Sequence, residues 1–336
     1  MEKVKNPIGR ALIFLALVLL VVYSIMPFAW SLITSLKYPV EANNPTPKLW
    51  GFKANLDNYA DLWLYMKGSE FVPYAIGILV IMVAIVAFAI LSTKFEWMSK
   101  PKTNMIAVAG LLLVFLLLPK FASMSKFYGY FINSVIVTVG TLVISISIGC
   151  VGGYALARYN KIWGVIILIA ALGFRALPRM AFVLPYYYIG QFTHLYDTRI
   201  LLIITMVAIN QPFTIWMLRS FFMDIPKEIE EAAMIDGAGR LESFFKVIIP
   251  IAWPGIITTS LFTLLLAYNE FLMPKILTQT NWTLPVAIAS YTSGEDAAYR
   301  AIAAAASVSI TIPIIIVIIF FQKYLVKGLA FGAVKG

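Results

Sequence analysis

The chain consists of long apolar runs separated by shorter polar segments. The first run covers residues 11–33, and a helix of that length crosses a hydrocarbon core of about 30 Å. The other apolar runs cover residues 71–91, 105–118, 130–156, 162–188, 200–222, 251–273 and 301–321. The pattern therefore predicts an all-α, polytopic membrane helix bundle with about eight spans.

Two of these runs have a second interpretation. The 105–118 run is short for a complete span, and a re-entrant or interfacial segment is the alternative. The first run follows Lys3, Lys5 and Arg10, as the apolar part of a signal peptide would. That part is only about 7–15 residues long and ends at a small-residue cleavage site, a pattern that the sequence does not follow. We therefore predict a spanning helix for residues 11–33.

A few ionisable residues lie inside the apolar runs. Arg175 and Arg179 fall in the run that Pro178 and Pro185 interrupt. Because charges at membrane depth face protein or water, this helix is predicted to border a polar pathway or a subunit interface. The alternative is that both arginines lie near a helix end.

Asn269 and Glu270 lie near the outer end of the 251–273 run. A carboxylate placed there is costly unless it meets water or a partner, so both residues are predicted to help close the outer end of the pathway. The alternative is a helix-end carboxylate in the headgroup region.

Residues 224–250 form the longest compact polar segment with an ordered pattern. Asp224 before Pro226 predicts a helix start, because Asp caps the first N–H groups and the missing proline N–H costs nothing there. The acidic residues that follow lie at the positive end of the helix dipole: Glu228, Glu230 and Glu231.

Gly237 and Gly239 predict the end of this helix, because glycine enters left-handed turns without penalty. A second helix is predicted beyond them, with one apolar stripe formed by Leu241, Phe244, Phe245 and Ile248. Pro250 opens the next apolar run. Two ordered helices between two spans predict a contact surface for a partner, and a solvated charged connection is the alternative.

Composition agrees with a membrane protein. Hydrophobic residues make up 61% and charged residues 12%, whereas soluble domains are about 25% charged. The net charge of +10 indicates positively charged cytoplasmic loops and not nucleic-acid binding. Placing both termini in the cytoplasm puts the denser lysines and arginines, and the 224–250 segment, on that side. Cys150 and His194 are single residues, interpreted as a packing thiol and a solvated loop residue.

The polar segment also carries a family resemblance. Glu231-Ala232-Ala233, Gly237 and Ile249-Pro250 match, in letters and spacing, the EAA loop of permease subunits of binding-protein-dependent ABC importers. From about Tyr130 to Gly336 the chain resembles the carbohydrate-uptake branch, most closely the MalG type. The other matching patches are Phe131-Ile132-Asn133-Ser134, Arg175 with Pro178 and Leu184-Pro185, Asn269-Glu270-Phe271-Leu272, and the tail from Tyr324 to Gly336.

The resemblance implies a type I importer with a MetI-like core of six spans. Residues 1–70 would then hold the first span and an external loop, and residues 130–336 the permease core with its EAA loop at 224–250. Residues 71–129 would hold an inserted two-helix hairpin that departs from the family pattern. Because an inserted pair preserves the topology of the rest, we predict that it packs peripherally.

The resemblance also implies several partners. These are an ABC ATPase dimer that binds ATP and Mg²⁺, a second MalF-like permease subunit, an extracytoplasmic sugar-binding protein and the lipid bilayer. The sequence has no G-x-x-x-x-G-K-[ST] pattern, so we predict a non-enzymatic chain that binds no cofactor or metal itself. The residues that match the ATPase-contacting loop are Glu231, Ala232, Ala233, Asp236, Gly237 and Pro250.

The function implied is uptake of a sugar, of the maltose or trehalose type or a longer oligosaccharide. One alternative is an ABC permease for another small solute. A second is an ion-coupled transporter, for which inverted repeats and midplane carboxylates are expected. A third is a membrane enzyme, which requires an acid–base or metal cluster. Neither the repeats nor such a cluster is evident in the sequence.

Overall fold

The computed structural model describes residues 7–44, 48–64, 123–158, 162–292 and 297–333, with isolated positions between residues 73 and 110. Over these residues the chain forms helices joined by turns, without strands. The predicted all-α class is confirmed. The chain divides into two compact units: unit 1 contains residues 1–128 and 288–311, and unit 2 contains residues 129–287 and 312–336.

The helices are numbered over the continuously described ranges. Unit 1 begins with α1 (Pro7–Ser35), α2 (Pro39–Ala42) and α3 (Asp57–Leu64). The helices that follow are α4 (Lys126–Arg158), α5 (Ile162–Ala176), α6 (Met180–Phe192), α7 (Arg199–Met223), α8 (Lys227–Ile235) and α9 (Arg240–Ser243). A π-helical turn (Phe244–Ile248) leads into α10 (Ile249–Tyr268), then α11 (Leu272–Leu277), α12 (Leu284–Thr292) and α13 (Ala297–Ala333).

Five described helices are long and apolar enough to cross a membrane: Ala11–Ser35, Lys126–Arg158, Arg199–Met223, Arg240–Tyr268 and Tyr299–Lys323. The pair α5 and α6 passes the same test as one broken span and raises the number to six. The predicted hairpin at residues 71–119 lies outside the described residues, apart from isolated helical positions. The eight-span prediction therefore stays a prediction.

The predicted span at residues 162–188 is two helices. α5 ends at Ala176, α6 begins at Met180, and the axes differ by 94°. Pro178 lies in the break, where it removes one N–H donor and disfavours a helical Leu177. Pro185 lies inside α6 without ending it.

Two hydrophobic clusters lie among the described residues of unit 2. One contains Val137, Val183, Leu201, Leu202, Met206, Ala267, Met273 and Leu277, and the other contains Cys150, Leu218, Phe222, Ile225, Phe244, Ile248, Ala252 and Ile256. Between them α4 and α7 approach closely at glycines. A Cβ on Gly153 would lie 3.0 Å from the backbone nitrogen of Arg219, and one on Gly149 would lie 2.8 Å from Thr214 Cγ2. Gly149 and Gly153 therefore allow close packing of α4 against α7.

Helix α4 separates two loop regions of unit 2. Near its start, Asn133 Nδ2 donates to the carbonyl of Trp282 at 3.0 Å. At its last residue, Arg158 binds Glu230 of α8. The helical rise puts Asn133 and Arg158 about 37 Å apart along the axis, more than the thickness of the hydrocarbon core of about 30 Å. Residues 224–250 and the turn at 278–284 therefore lie at opposite ends of the unit.

Candidate functional site

The polar segment begins with helix α8. The residue before it is Pro226, with backbone angles of φ −55° and ψ 138° and no side-chain cap. The cap position differs from the prediction, because Pro226 directly precedes α8 and Asp224 has helical backbone angles at the C-terminal cap of α7. Pro226 occupies the cap position, and its ring has no oxygen to accept from the first N–H groups.

Glu230 fixes α8 to the rest of unit 2. Its side chain is buried and accepts from Arg158 Nε at 2.8 Å and from the Tyr154 hydroxyl. Arg158 Nη1 also donates to the carbonyls of Phe222 and Ile225, at 3.2 and 3.3 Å. One guanidinium thus joins the end of α4, the end of α7 and the middle of α8. Sequence reasoning missed this contact, because no local pattern pairs residues 72 positions apart.

The residues that match the EAA motif lie on the other side of α8. Each helical step rotates the side chain by about 100°, so Glu231 points outward where Glu230 points inward. Glu231 and Ala232 are exposed and Ala233 is half-buried. Asp236, the C-terminal cap of α8, and Pro250, in the first turn of α10, are also exposed.

The turn after α8 uses one glycine in the left-handed region. Gly237 has φ +92°, and its N–H donates to the carbonyl of Met234 at 3.1 Å. The Ala238 N–H donates to the carbonyl of Ala233 at 3.0 Å. Gly239 differs from the prediction, because it has φ −69° and occupies the N-cap of α9. Gly237 alone therefore requires glycine for its backbone angle.

The predicted apolar stripe of the second helix is split between buried and exposed residues. Phe244 and Ile248 are buried, whereas Leu241 is 76% exposed and Phe245 is 63% exposed. The π-helical turn at Phe244–Ile248 explains the difference, because i→i+5 hydrogen bonding rotates the following side chains relative to an α-helix. Phe244 joins the second core cluster, and Leu241 and Phe245 stay on the surface.

Leu241 and Phe245 line a groove with a volume of ≈ 410 Å³. Arg158, Lys227 and Arg240 supply positive charge, Glu230 and Glu231 supply negative charge, and the remaining lining residues are Val151, Tyr154, Met234, Leu241, Phe244 and Phe245. The groove combines apolar surface with charged groups of both signs. Such a surface suits a partner protein better than a small apolar ligand.

The other predicted site residues lie at the opposite end of unit 2. Glu270 is 6% exposed, forms an ion pair with Arg179, and accepts from the Leu272 N–H at 3.1 Å at the start of α11. Asn269 is exposed and its side chain donates to the Leu265 carbonyl of its own helix at 2.9 Å.

Arg175 forms no ion pair with Glu270. Its guanidinium lies 4.4 Å from the ring centroid of Phe213. Arg175 occupies the last turn of α5, and Arg179 directly precedes α6. The alternative interpretation, with both arginines near a helix end, therefore agrees with the structure.

Asp197 organises a turn that sequence reasoning missed. Its carboxylate accepts from the backbone N–H groups of Gln279, Thr280 and Asn281 at 2.8 to 3.1 Å and from the Thr280 hydroxyl at 2.6 Å. Partial burial alone would raise the pKa of Asp197, but these hydrogen bonds outweigh it and hold the pKa below its usual value.

The Phe131–Ser134 patch anchors the same turn. Asn133 Oδ1 accepts from Arg199 Nε at 2.7 Å while its amide holds the Trp282 carbonyl, and Ser134 Oγ accepts from the Leu284 N–H at 2.7 Å. The family motif signalled these residues, although it did not identify their partners. His194 lies exposed next to this turn with φ 57°. In the described part of the chain, no three His, Cys, Asp or Glu residues are placed to hold a metal ion.

Comparisons with known proteins match the core of the chain. The family model of the binding-protein-dependent transport system inner membrane component matches residues 145–331. The trehalose transport system permease protein SugB of Mycobacterium tuberculosis is 35% identical over 208 residues, which cover 61% of this chain and 76% of that protein. The trehalose/maltose transport system permease protein MalG of Thermococcus litoralis is 33% identical over 212 residues, covering 62% and 76%.

A solved structure shares the fold. It is a crystal structure of a bacterial ABC transporter involved in the import of the acidic polysaccharide alginate. The TM-score is 0.66, and the match covers 96% of this chain and 99% of that chain at 18% identity. At this identity the similarity concerns the helix arrangement alone.

Proposed function

Because this chain belongs to the family of binding-protein-dependent transport system inner membrane components, we propose that it is the permease subunit of an ATP-driven sugar importer. The observation that carries the sugar assignment is the pair of relatives whose names specify trehalose or trehalose and maltose. The proposed substrate is a disaccharide of that type or a related oligosaccharide.

The exposed side of residues 224–250 is the proposed contact for the ATPase dimer, which binds ATP and Mg²⁺. Glu231, Ala232, Ala233, Asp236 and Gly237 lie on one accessible stretch, and the adjoining groove offers apolar and charged surface. Arg158 and Glu230 support this assignment, because they hold α8 against two spanning helices. Movement of α8 by the ATPase would therefore move α4 and α7.

The proposed ATPase contact also sets the proposed orientation of the chain in the membrane. Residues 224–250 face the cytoplasm, where the ATPase lies, and the 278–284 turn faces outward. The excess of positive charge on the cytoplasmic segments supports this orientation. Both termini are accordingly placed in the cytoplasm, and the protein is a multi-pass component of the cytoplasmic membrane.

The remaining partners are a MalF-like second permease and an external sugar-binding protein. The most apolar stretch of α1 has none of its residues buried inside this chain, which supports a contact of α1 with lipid or with the second permease. The turn that Asp197 holds is a rigid outer surface for the binding protein. Asn269, Glu270 and Arg175 are assigned to the pathway side of the same end, and residues 71–119 to peripheral packing.

Transport by the reconstituted complex tests the proposal. The permease would be assembled with its ATPase, second permease and binding protein in liposomes, and uptake of labelled trehalose and maltose would be measured with internal ATP. We expect uptake that needs ATP and survives an ionophore that collapses ion gradients. Uptake that is abolished by the ionophore and independent of ATP would establish the ion-coupled alternative.

A pair of variants tests the ATPase contact separately. Glu231→Ala removes a carboxylate from the motif, and Glu228→Ala removes an exposed carboxylate from the first turn of the same helix. We expect Glu231→Ala to weaken co-purification of the ATPase and Glu228→Ala to leave it near wild type. Equal behaviour of the two variants would exclude a specific contact at Glu231.

A further inference from the structure

Unit 1 contains a polar pocket to which the proposed function assigns no role. The pocket has a volume of ≈ 440 Å³ and lies beside the last turns of α1. Its walls carry hydroxyl, amide, aromatic and cationic side chains: Trp30, Ser31, Thr34, Lys37, Asn43 and Arg300. No carboxylate is among the described residues that line it. The described walls therefore do not balance the positive charges of the pocket.

Lys37 is the central cation of this pocket. The residue is only 2% exposed, and the Lys37 ammonium lies 5.7 Å from the ring centroid of Trp30 and 5.2 Å from that of Phe52. Aromatic faces attract a cation but accept its hydrogen bonds poorly. No acidic side chain within the described residues forms an ion pair with this ammonium. A buried charge in such a setting normally has a partner of opposite sign.

Contacts made by Asn58 hold the backbone of Lys37 in place. Asn58 Nδ2 donates to the carbonyls of Ser35 and Lys37, both at 2.8 Å, and the Tyr59 hydroxyl bonds the Ser35 hydroxyl at 2.8 Å. These contacts tie the end of α1 to α3. The ammonium is thus fixed by packing and not by an attraction to a neighbouring acid.

Arg300 supplies the second cation. It is exposed at the pocket wall and has no ion pair among the described residues. Glu41 does not neutralise these cations, because it forms no ion pair with Lys37 or Arg300. Its Oε2 is buried without a hydrogen-bond partner. Two cations without an ion pair among the described residues, together with hydroxyl groups and an amide, form a donor set that matches a singly charged phosphate group.

The position of the pocket favours a lipid as the source of that phosphate. The helix that leads to it, α1, is exposed over residues 11–27. Tryptophan and lysine at the end of such a helix are typical of the headgroup level of a bilayer. A phospholipid could therefore lie along α1 with its phosphate in the pocket. We propose that the pocket formed by Trp30, Thr34, Lys37, Asn43 and Arg300 binds an anionic phosphate group, supplied by a phospholipid headgroup or a soluble phosphate.

Thermal unfolding of the purified, delipidated complex tests this binding. Phosphatidylglycerol, diacylglycerol and inorganic phosphate would be added in separate titrations, and each Tm compared with that of the same protein without additive. Diacylglycerol lacks the phosphate and inorganic phosphate lacks the acyl chains. Ligand that binds the folded state raises Tm with concentration, so the three series separate the contributions of phosphate and chains.

Three variants locate the site. Lys37→Gln and Arg300→Gln each remove a pocket cation, and Lys53→Gln removes an exposed lysine of the same loop. Because one cation near a headgroup contributes substantially to binding, we expect an apparent affinity for phosphatidylglycerol about fivefold weaker, or more, in both pocket variants. The control should bind like wild type. If Lys37→Gln does not fold, Arg300→Gln still tests the site, because Arg300 is exposed and its substitution should leave the fold intact.

The outcomes are distinct. A shift with phosphatidylglycerol alone, reduced in the pocket variants, supports a lipid site. An equal shift with inorganic phosphate, reduced in the same variants, supports the site and assigns it to a soluble anion. Equal shifts with diacylglycerol, or unchanged affinity in Arg300→Gln, would overturn the proposal.

Discussion

Two neighbouring carboxylates show how a single helical step separates internal from external contacts. Glu230 is paired with Arg158 inside unit 2, and Glu231 is exposed. The sequence predicted the outward residue through its motif. It did not predict the inward one, because burial of Glu230 depends on a guanidinium that only the packing of α4 against α8 brings near.

The first prediction concerns Glu230. Glu230→Gln leaves Arg158 partly buried without its charge partner, since the two side chains are 11% and 16% exposed. Losing one partner of a buried pair is strongly destabilising, and with this remaining exposure we expect a cost of about 2 kcal/mol. Thermal unfolding of the purified permease, measured without its ATPase, gives this cost.

The matched control is Glu231→Gln. Its carboxylate is exposed and forms no ion pair among the described residues, so stability should change by less than about 0.5 kcal/mol. Equal losses of Tm in the two variants would contradict the structural assignment of Glu230.

The second prediction concerns Asp197 and pH. Its folded-state pKa is lowered by hydrogen bonds that outweigh burial, so its ionised form stabilises the fold above the unfolded pKa. This contribution is lost as pH falls through the lowered folded pKa. Because the site is partly solvated, we expect Asp197→Asn to cost about 1 kcal/mol at pH 7.

The measurement compares the Tm of wild type and Asp197→Asn in detergent from pH 7 to pH 3. The difference should shrink as the wild-type carboxylate becomes protonated. A difference that is constant over this range would show that charge on Asp197 does not stabilise the turn.

At the scale of elements, periodicity predicted where the helices form better than it predicted which of their faces are buried. The four apolar residues from Leu241 to Ile248 fit one α-helical stripe, yet the π-helical turn leaves Leu241 and Phe245 exposed. A π turn depends on hydrogen-bond register, which side-chain periodicity does not report. Similarly, Pro178 signalled an interruption, but not the angle of 94°, which depends on the packing of α5 and α6.

The third prediction concerns the turn after α8. A side chain at Gly237 would meet no atom within 4 Å, so its cost comes from φ +92° alone. We expect Gly237→Val to add at least about 1 kcal/mol of backbone strain and to re-aim α9. Assembly with the ATPase should persist, and stimulated hydrolysis and sugar uptake should fall.

Gly239→Val provides the control. Gly239 also has open space around it, but its φ is −69°, which a valine adopts without strain. Wild-type hydrolysis and uptake are therefore expected. If both variants lose function alike, substitution in the turn acts through surface contacts and not through backbone conformation.

At the scale of the whole molecule, composition and the apolar runs were sufficient to predict an all-α membrane protein. The EAA match identified the family, and the comparisons agree with it. Contacts between distant segments were not predictable in this way. The bond from Asn133 to Trp282 joins residues 149 positions apart, and the ion pair of Glu270 with Arg179 joins two separate apolar runs of the sequence.

The last prediction concerns that pair, which joins the break between α5 and α6 to the start of α11. Glu270→Gln removes the charge but keeps an oxygen able to accept from the Leu272 N–H, so α11 retains its cap. Glu270 is buried, but the Arg179 side chain is 42% exposed, so solvent screening limits the cost of losing the charge to about 1 kcal/mol. If the pair holds the outer end closed, we expect uptake to fall about tenfold and ATP hydrolysis to lose its dependence on the binding protein.

A double-mutant cycle separates this pairing from general damage. Residues that act as one unit give non-additive effects, so Arg179→Gln combined with Glu270→Gln should be no worse than either single change. Arg175→Gln combined with Glu270→Gln is the comparison, because no ion pair joins these two residues, so their effects should add. Additive losses in the double variant with Arg179→Gln, or wild-type uptake by Glu270→Gln, would remove the ion pair from the gating mechanism and leave Glu270 as the cap of α11.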